Sequence, residues 1–177
     1  MQIRGLSLRA AAALAFLSAC GSSPVISEPA AATTPPLMWQ QVTGINVLCL
    51  VRTDAGVDQG PLHDLVCKKV RDMAAEGSPA PVRIIASGDP AVLSPDNVTL
   101  LVHASVQGAS GRRLLAFTIR PFRNSADQGQ MLFAAVPRAV PLGNSPGNSP
   151  ELEAALRAAL SETLPWLTAP AGHRPIR

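Results

Sequence analysis

The chain has 177 residues, of which 47% are hydrophobic, so a single domain with a sizeable core fits its length and composition. Its formal charge is +3, but aromatic residues make up only 3% and Tyr is absent. With no cluster of Lys and Arg and little to stack bases on, the composition argues against nucleic-acid binding.

The first twenty residues read MQIRGLSLRAAAALAFLSAC. Arg4 and Arg9 give a positive start, and Ala10 to Leu17 form an apolar run too short to span a bilayer. Leu17-Ser18-Ala19-Cys20 closes the segment with small residues directly before a cysteine. This ending resembles the lipobox of bacterial lipoproteins. The resemblance implies a signal peptide over residues 1–19, cleavage before Cys20 and acylation of its thiol, palmitate included. Gly21, rather than Asp, follows the cysteine, which by resemblance to the enterobacterial sorting rule favours the outer membrane. Two of the 15 Lys and Arg would leave with the signal, and the 13 that remain face 12 Asp and Glu, a mature net charge of +1.

Residues 20–39 then read as the lipidated cysteine and a flexible tether, rich in Pro, Ala, Ser and Thr and without periodicity. Held extended, such a segment reaches on the order of 50–60 Å. Leu37, Met38 and Trp39 at its end are the residues best suited to pack on the domain. The domain itself is expected over 40–166, with a loose tail at 167–177.

Ile45 to Val51 is a strand candidate with Ile45, Val47, Cys49 and Val51 on one face. Pro61 suits the first turn of a helix running to about Glu76, where Gly77 and Pro79 stop it. Leu62, Leu65, Val66, Val70 and Met73 form its apolar stripe, with Cys67 on the flank. Once Cys20 is lipidated, Cys49 and Cys67 are the only cysteines left, and an exported pair reads as a disulfide. The strand-helix packing would bring them together, closing a loop of 18 residues. The alternative is two buried free thiols.

Val82 to Ala86 is a short strand. Asn97 to Gln107 alternates most clearly, with Val98, Leu100, Val102, Ala104 and Val106 facing one way and Thr99, Leu101, His103, Ser105 and Gln107 the other. The turn Gly108-Ala109-Ser110-Gly111 leads into a strand over Arg112 to Arg120, and a further turn returns the chain through Gln130 to Val136. After the loop PLGNSPGNSP, Ser149 caps a second helix whose Leu152, Leu156, Leu160 and Leu164 recur every four residues until Pro165.

The order β-α-β-β-β-β-α predicts an α+β, two-layer sandwich: a mostly antiparallel sheet of about five strands with two helices on one face. That order resembles the small domains of periplasmic envelope proteins such as the amino-terminal domain of TolB and the CsgG-like accessory lipoproteins.

Chemical motifs are sparse. His63, His103 and His173 have no metal-ligand spacing, no G-x-S-x-G elbow or phosphate-binding glycine loop occurs, and no cofactor is implied. Asp54, Asp58 and Asp64 read as solvated loop charge. The polar sheet face, with His103 and Arg120, either docks a protein or is covered by tether and tail. Arg112, Arg113, Arg120 and Arg123 are candidates to meet anionic groups of the envelope. The expectation is therefore a non-enzymatic accessory protein, anchored in the membrane through Cys20, facing the periplasm and partnered by envelope proteins. A small-molecule-binding lipoprotein is the alternative, and an envelope hydrolase a further one.

Overall fold

The computed structural model describes residues 37–54, 58–109, 112–124, 134–143 and 146–168. The expected signal peptide, Cys20 and most of the expected tether and tail lie outside the described residues. The elements follow the expected order: β1 (Gly44–Thr53), α1 (Gln59–Ala75), β2 (Val82–Ile84), β3 (Asn97–Ala109), β4 (Arg112–Arg123), β5 (Arg138–Pro141) and α2 (Pro150–Thr163), closed by a one-turn α3 (Pro165–Thr168). The five strands form one sheet in the order β2-β1-β3-β4-β5, and the fold is a mixed α+β sandwich.

Pairing within the sheet is evenly mixed rather than mostly antiparallel. β1 pairs in parallel with both β2 and β3, whereas β3-β4 and β4-β5 are antiparallel. The reason is connectivity: α1 is a crossover that returns the chain to the end of the sheet where β1 began, and a parallel neighbour needs such a return. The segment between β2 and β3 does the same, passing through a 3-10 turn at Pro90–Leu93.

Local chemistry sets the helix ends. Asp58 caps α1, its Oδ1 accepting the Gly60 N–H at 3.1 Å, and Gly77 takes a left-handed φ of 73° just past the end. Ser149 caps α2 by accepting the Leu152 N–H at 3.1 Å, with Pro150 in the first turn. Both helices lay their apolar stripes on the same sheet face. Leu62, Val66 and Val70 of α1 and Leu152, Leu156 and Leu160 of α2 meet Ile45, Val47, Val98, Leu100, Leu115 and Ile119 in one buried cluster.

Cys49 and Cys67 form a disulfide with a Cα–Cα distance of 6.0 Å, joining β1 to α1 inside this layer. Met38 and Trp39, at the end of the expected tether, sit in a 3-10 turn (Leu37–Trp39) and are buried in the same core. Trp166 of α3 meets Trp39 edge-on at 5.1 Å and donates from Nε1 to the Ala74 carbonyl, so the chain past Pro165 re-enters helix and packs.

The last strand differs from expectation. Among the residues expected as strand at Gln130–Val136, those from 134 on run beside β4, where Ala135 N–H bonds the Ile119 carbonyl, but the regular ladder starts only at Arg138. Pro137 intervenes, and a residue without an N–H interrupts a ladder.

Candidate functional site

The second face of the sheet carries no helix. Its side chains come from the alternate positions of β1, β3 and β4, and the register aligns them in rows. Leu48, Leu101 and Arg120 form one row, Leu50, His103 and Thr118 the next, and Arg52, Ser105 and Ala116 a third. Leu114 follows, opposite Gln107 and Pro141.

This face is divided. At one end the Pro90–Leu93 turn folds over it. Asn46, fully buried, donates from Nδ2 to the Ala91 carbonyl at 3.3 Å and accepts the Arg83 Nε–H at 3.0 Å. Thr99 is buried beneath the same cover, and Asn124 ties its far side by donating to the Leu93 carbonyl at 2.8 Å. Among the described residues, what covers this end is therefore a connection within the domain.

The other end is open among the described residues. Leu50 is 37% exposed and Leu114 47%, and Arg52, His103, Ala116 and Arg120 all face solvent. A groove of about 800 Å³ runs over Leu50, Arg52, His103, Ser105, Ala116 and Thr118 to the edge of β1. Gln59 and His63 from the start of α1 wall it there. Gln59 is fixed by donating to the Val51 carbonyl at 2.6 Å, an edge group that short β2 leaves unpaired. His63 holds Asp64 Oδ1 at 3.1 Å through Nδ1 and lies 4.0 Å from the Cys67 sulfur through Nε2.

The arginines singled out from the sequence do not share one surface. His103 and Arg120 stand on the open face. Arg123 points the other way and serves the fold, donating to the carbonyls of Pro95 (2.5 Å), Gln40 (2.7 Å) and Met38 (3.4 Å). Arg113 lines a separate hollow of about 320 Å³ with Asp58, Leu62, Leu65 and Leu142. Arg112 opens β4 opposite Ala109. Arg52 is the residue the sequence reading missed; alternation from Ile45 places it on the polar face, the signal that would have found it. Asp58 and Asp64 are held in the local contacts given above, and Asp54 is exposed at the end of β1. Among the described residues, no group of three or more His, Cys, Asp or Glu is placed to share a metal ion.

Chemically, the open end can make charge-assisted hydrogen bonds to anionic groups through Arg52 and Arg120, with hydroxyls of Ser105 and Thr118 beside them and leucine surface between.

No family model matches the chain, and no curated protein matches it. Solved structures similar to it include two PelC dodecamers from Paraburkholderia phytofirmans, one in space group P6 and one, carrying a single substitution, in C2. Each is 12% identical; the alignments cover 70% and 73% of this chain and 87% and 91% of those chains, with TM-scores of 0.39 and 0.38. A likeness at that level carries no argument about function.

Proposed function

We propose that this chain is a lipid-anchored accessory protein of the bacterial envelope, facing the periplasm, which docks envelope proteins and performs no catalysis. The observation that carries this reading is the open end of the outer sheet face, where Leu50 is exposed beside Arg52 and His103, with Arg120 to one side and exposed Leu114 further along β4. Exposed apolar groups rimmed by polar ones mark interaction sites.

Two further observations support it. The Cys49–Cys67 bridge suits a chain exported to an oxidising compartment. Cys20, behind Arg4, Arg9 and a short apolar run, supports cleavage and acylation at that position, and Gly21 favours the outer membrane. Anchoring would raise the local concentration of the domain near membrane-bound partners, strengthening docking without new contacts.

The test is crosslinking and pull-down from membranes of the tagged chain, with Cys20→Ser as control. The wild type is expected in the membrane fraction with a few stoichiometric partners; Cys20→Ser is expected in the soluble fraction, with an unchanged melting temperature and without those partners. Retention of Cys20→Ser on membranes would remove the anchor from the reading. The groove of about 800 Å³ supports one second reading, a small-molecule-binding lipoprotein, because small ligands occupy sites of that size. A saturable melting shift with a small molecule, from a chain that crosslinks to nothing, would favour it.

A further inference from the structure

All charged side chains in the five strands are arginines; no strand contains Asp, Glu or Lys. Four other cations are paired: Lys69 with Glu153, Arg71 with Asp72, Arg138 with Glu162 and Arg157 with Glu76. Arg83 is engaged by Asn46, and Arg123 by three carbonyls. Arg52 and Arg120 form no ion pair among the described residues, and both are exposed on the same open face.

The register sets their spacing. His103 is opposite Leu50 on β1 and Thr118 on β4; Arg52 lies two residues beyond Leu50, and Arg120 two beyond Thr118. Because β1 runs parallel to β3 and β4 antiparallel, these steps go to opposite sides of His103. Arg52, His103 and Arg120 therefore form one straight diagonal across three strands. Diagonal neighbours in a sheet lie about 7–8 Å apart, their Cβ atoms somewhat closer. In an extended chain, side chains on one side repeat every two residues, about 6.6–6.8 Å. The two periods match.

We propose that this diagonal binds an extended acidic segment of a partner protein, whose carboxylates at alternate positions meet Arg52, His103 and Arg120. Leu48 and Leu50 flank the diagonal and exclude water, which strengthens each charge pair. This rests on the docking role proposed above and names the chemistry of the partner. A polysaccharide fits less well, since the two tryptophans are packed against each other away from this face. A flat bilayer fits less well because the face forms a groove, walled by Gln59 and His63.

The experiment is a fluorescence titration of the full chain, at low salt, with a labelled peptide carrying Glu at alternate positions. Saturable binding is expected, weakened roughly tenfold by Arg52→Gln and by Arg120→Gln, in line with a charged hydrogen bond. Lys68→Gln, the same charge change on the exposed side of α1, should leave it unaltered, as should replacing the labelled terminus. A peptide with Gln for Glu should not bind. The double variant Arg52→Glu with Arg120→Glu guards against loss through misfolding: it should reject the Glu peptide and accept one with Lys at alternate positions. Absence of binding, equal weakening by Lys68→Gln, or tighter, Arg52-dependent binding to phosphatidylglycerol vesicles than to the peptide would each overturn the proposal. A successful pull-down with a failed titration removes this inference alone; the converse removes the envelope-docking role and leaves the acidic specificity standing.

Discussion

At the scale of single residues, Asn46 is a polar group held by the fold at both ends of its side chain. It is fully buried and uses both ends of its amide, one on the Ala91 carbonyl and one on Arg83. Asn46→Ala should cost about 1–3 kcal/mol by stranding the carbonyl under the Pro90–Leu93 turn, read as a lower midpoint in urea. A surface pair makes the opposite case. Arg157 of α2 grips Glu76 at the end of α1 through two hydrogen bonds of 2.7 and 3.2 Å. The side-chain hydrogen bond from Arg157 holds the Glu76 carboxyl below the usual glutamate range, with its charge adding to the effect. A lowered folded-state pKa means the contribution is whole above the usual range and fades as pH falls through the lowered value. Both groups are about half exposed, so the pair is worth at most about 0.5 kcal/mol. The stability difference between wild type and Arg157→Gln should be small at pH 7 and shrink as pH falls through the lowered Glu76 pKa; a difference that grew on acidification would contradict the assignment.

At the scale of elements, the disulfide ties β1 to the helix that covers it. In the chain-entropy account a loop of 18 residues contributes roughly 3 kcal/mol. Cys49→Ser is expected to melt well below the oxidised wild type and near the reduced one, and equal melting temperatures for the mutant and the oxidised protein would count against the bridge's role. This bridge was legible in the sequence because parity along β1 and the flank of α1 are local patterns. So were the caps at Asp58 and Ser149 and the alternation of β3. The parallel pairing of β1 with β3 was not, because no local pattern encodes which distant strand lies alongside. β5 was set too early because the apolar run that ends at Val136 reads as the strand, and nothing local marks Arg138–Pro141, past Pro137, as the paired segment. The β3 and β4 part of the candidate face was legible, His103 and Arg120 included, and the β1 part with Arg52 was not. Arg123 misled because only tertiary contacts show that its guanidinium is engaged by Pro95 and Gln40.

At the scale of the whole domain, one core layer joins everything described, and Trp39 and Trp166 seal it from opposite ends of the sequence. Trp39→Ala should cost about 3–5 kcal/mol, measured by denaturant titration, even though it is the last residue of the expected tether. A loss under 1 kcal/mol would show that the Leu37–Trp39 turn only rests on the fold. The edge-on meeting of the two indoles at 5.1 Å has a further meaning. Leu37 and Thr168 each stand two residues from this contact, so a short linker could splice one to the other. The fold could then be circularly permuted and reopened at the β3-β4 hairpin, every core contact kept. For a tethered domain, that would move the point of suspension to the far end of the sheet and turn the arginine diagonal the other way up without altering a residue of it.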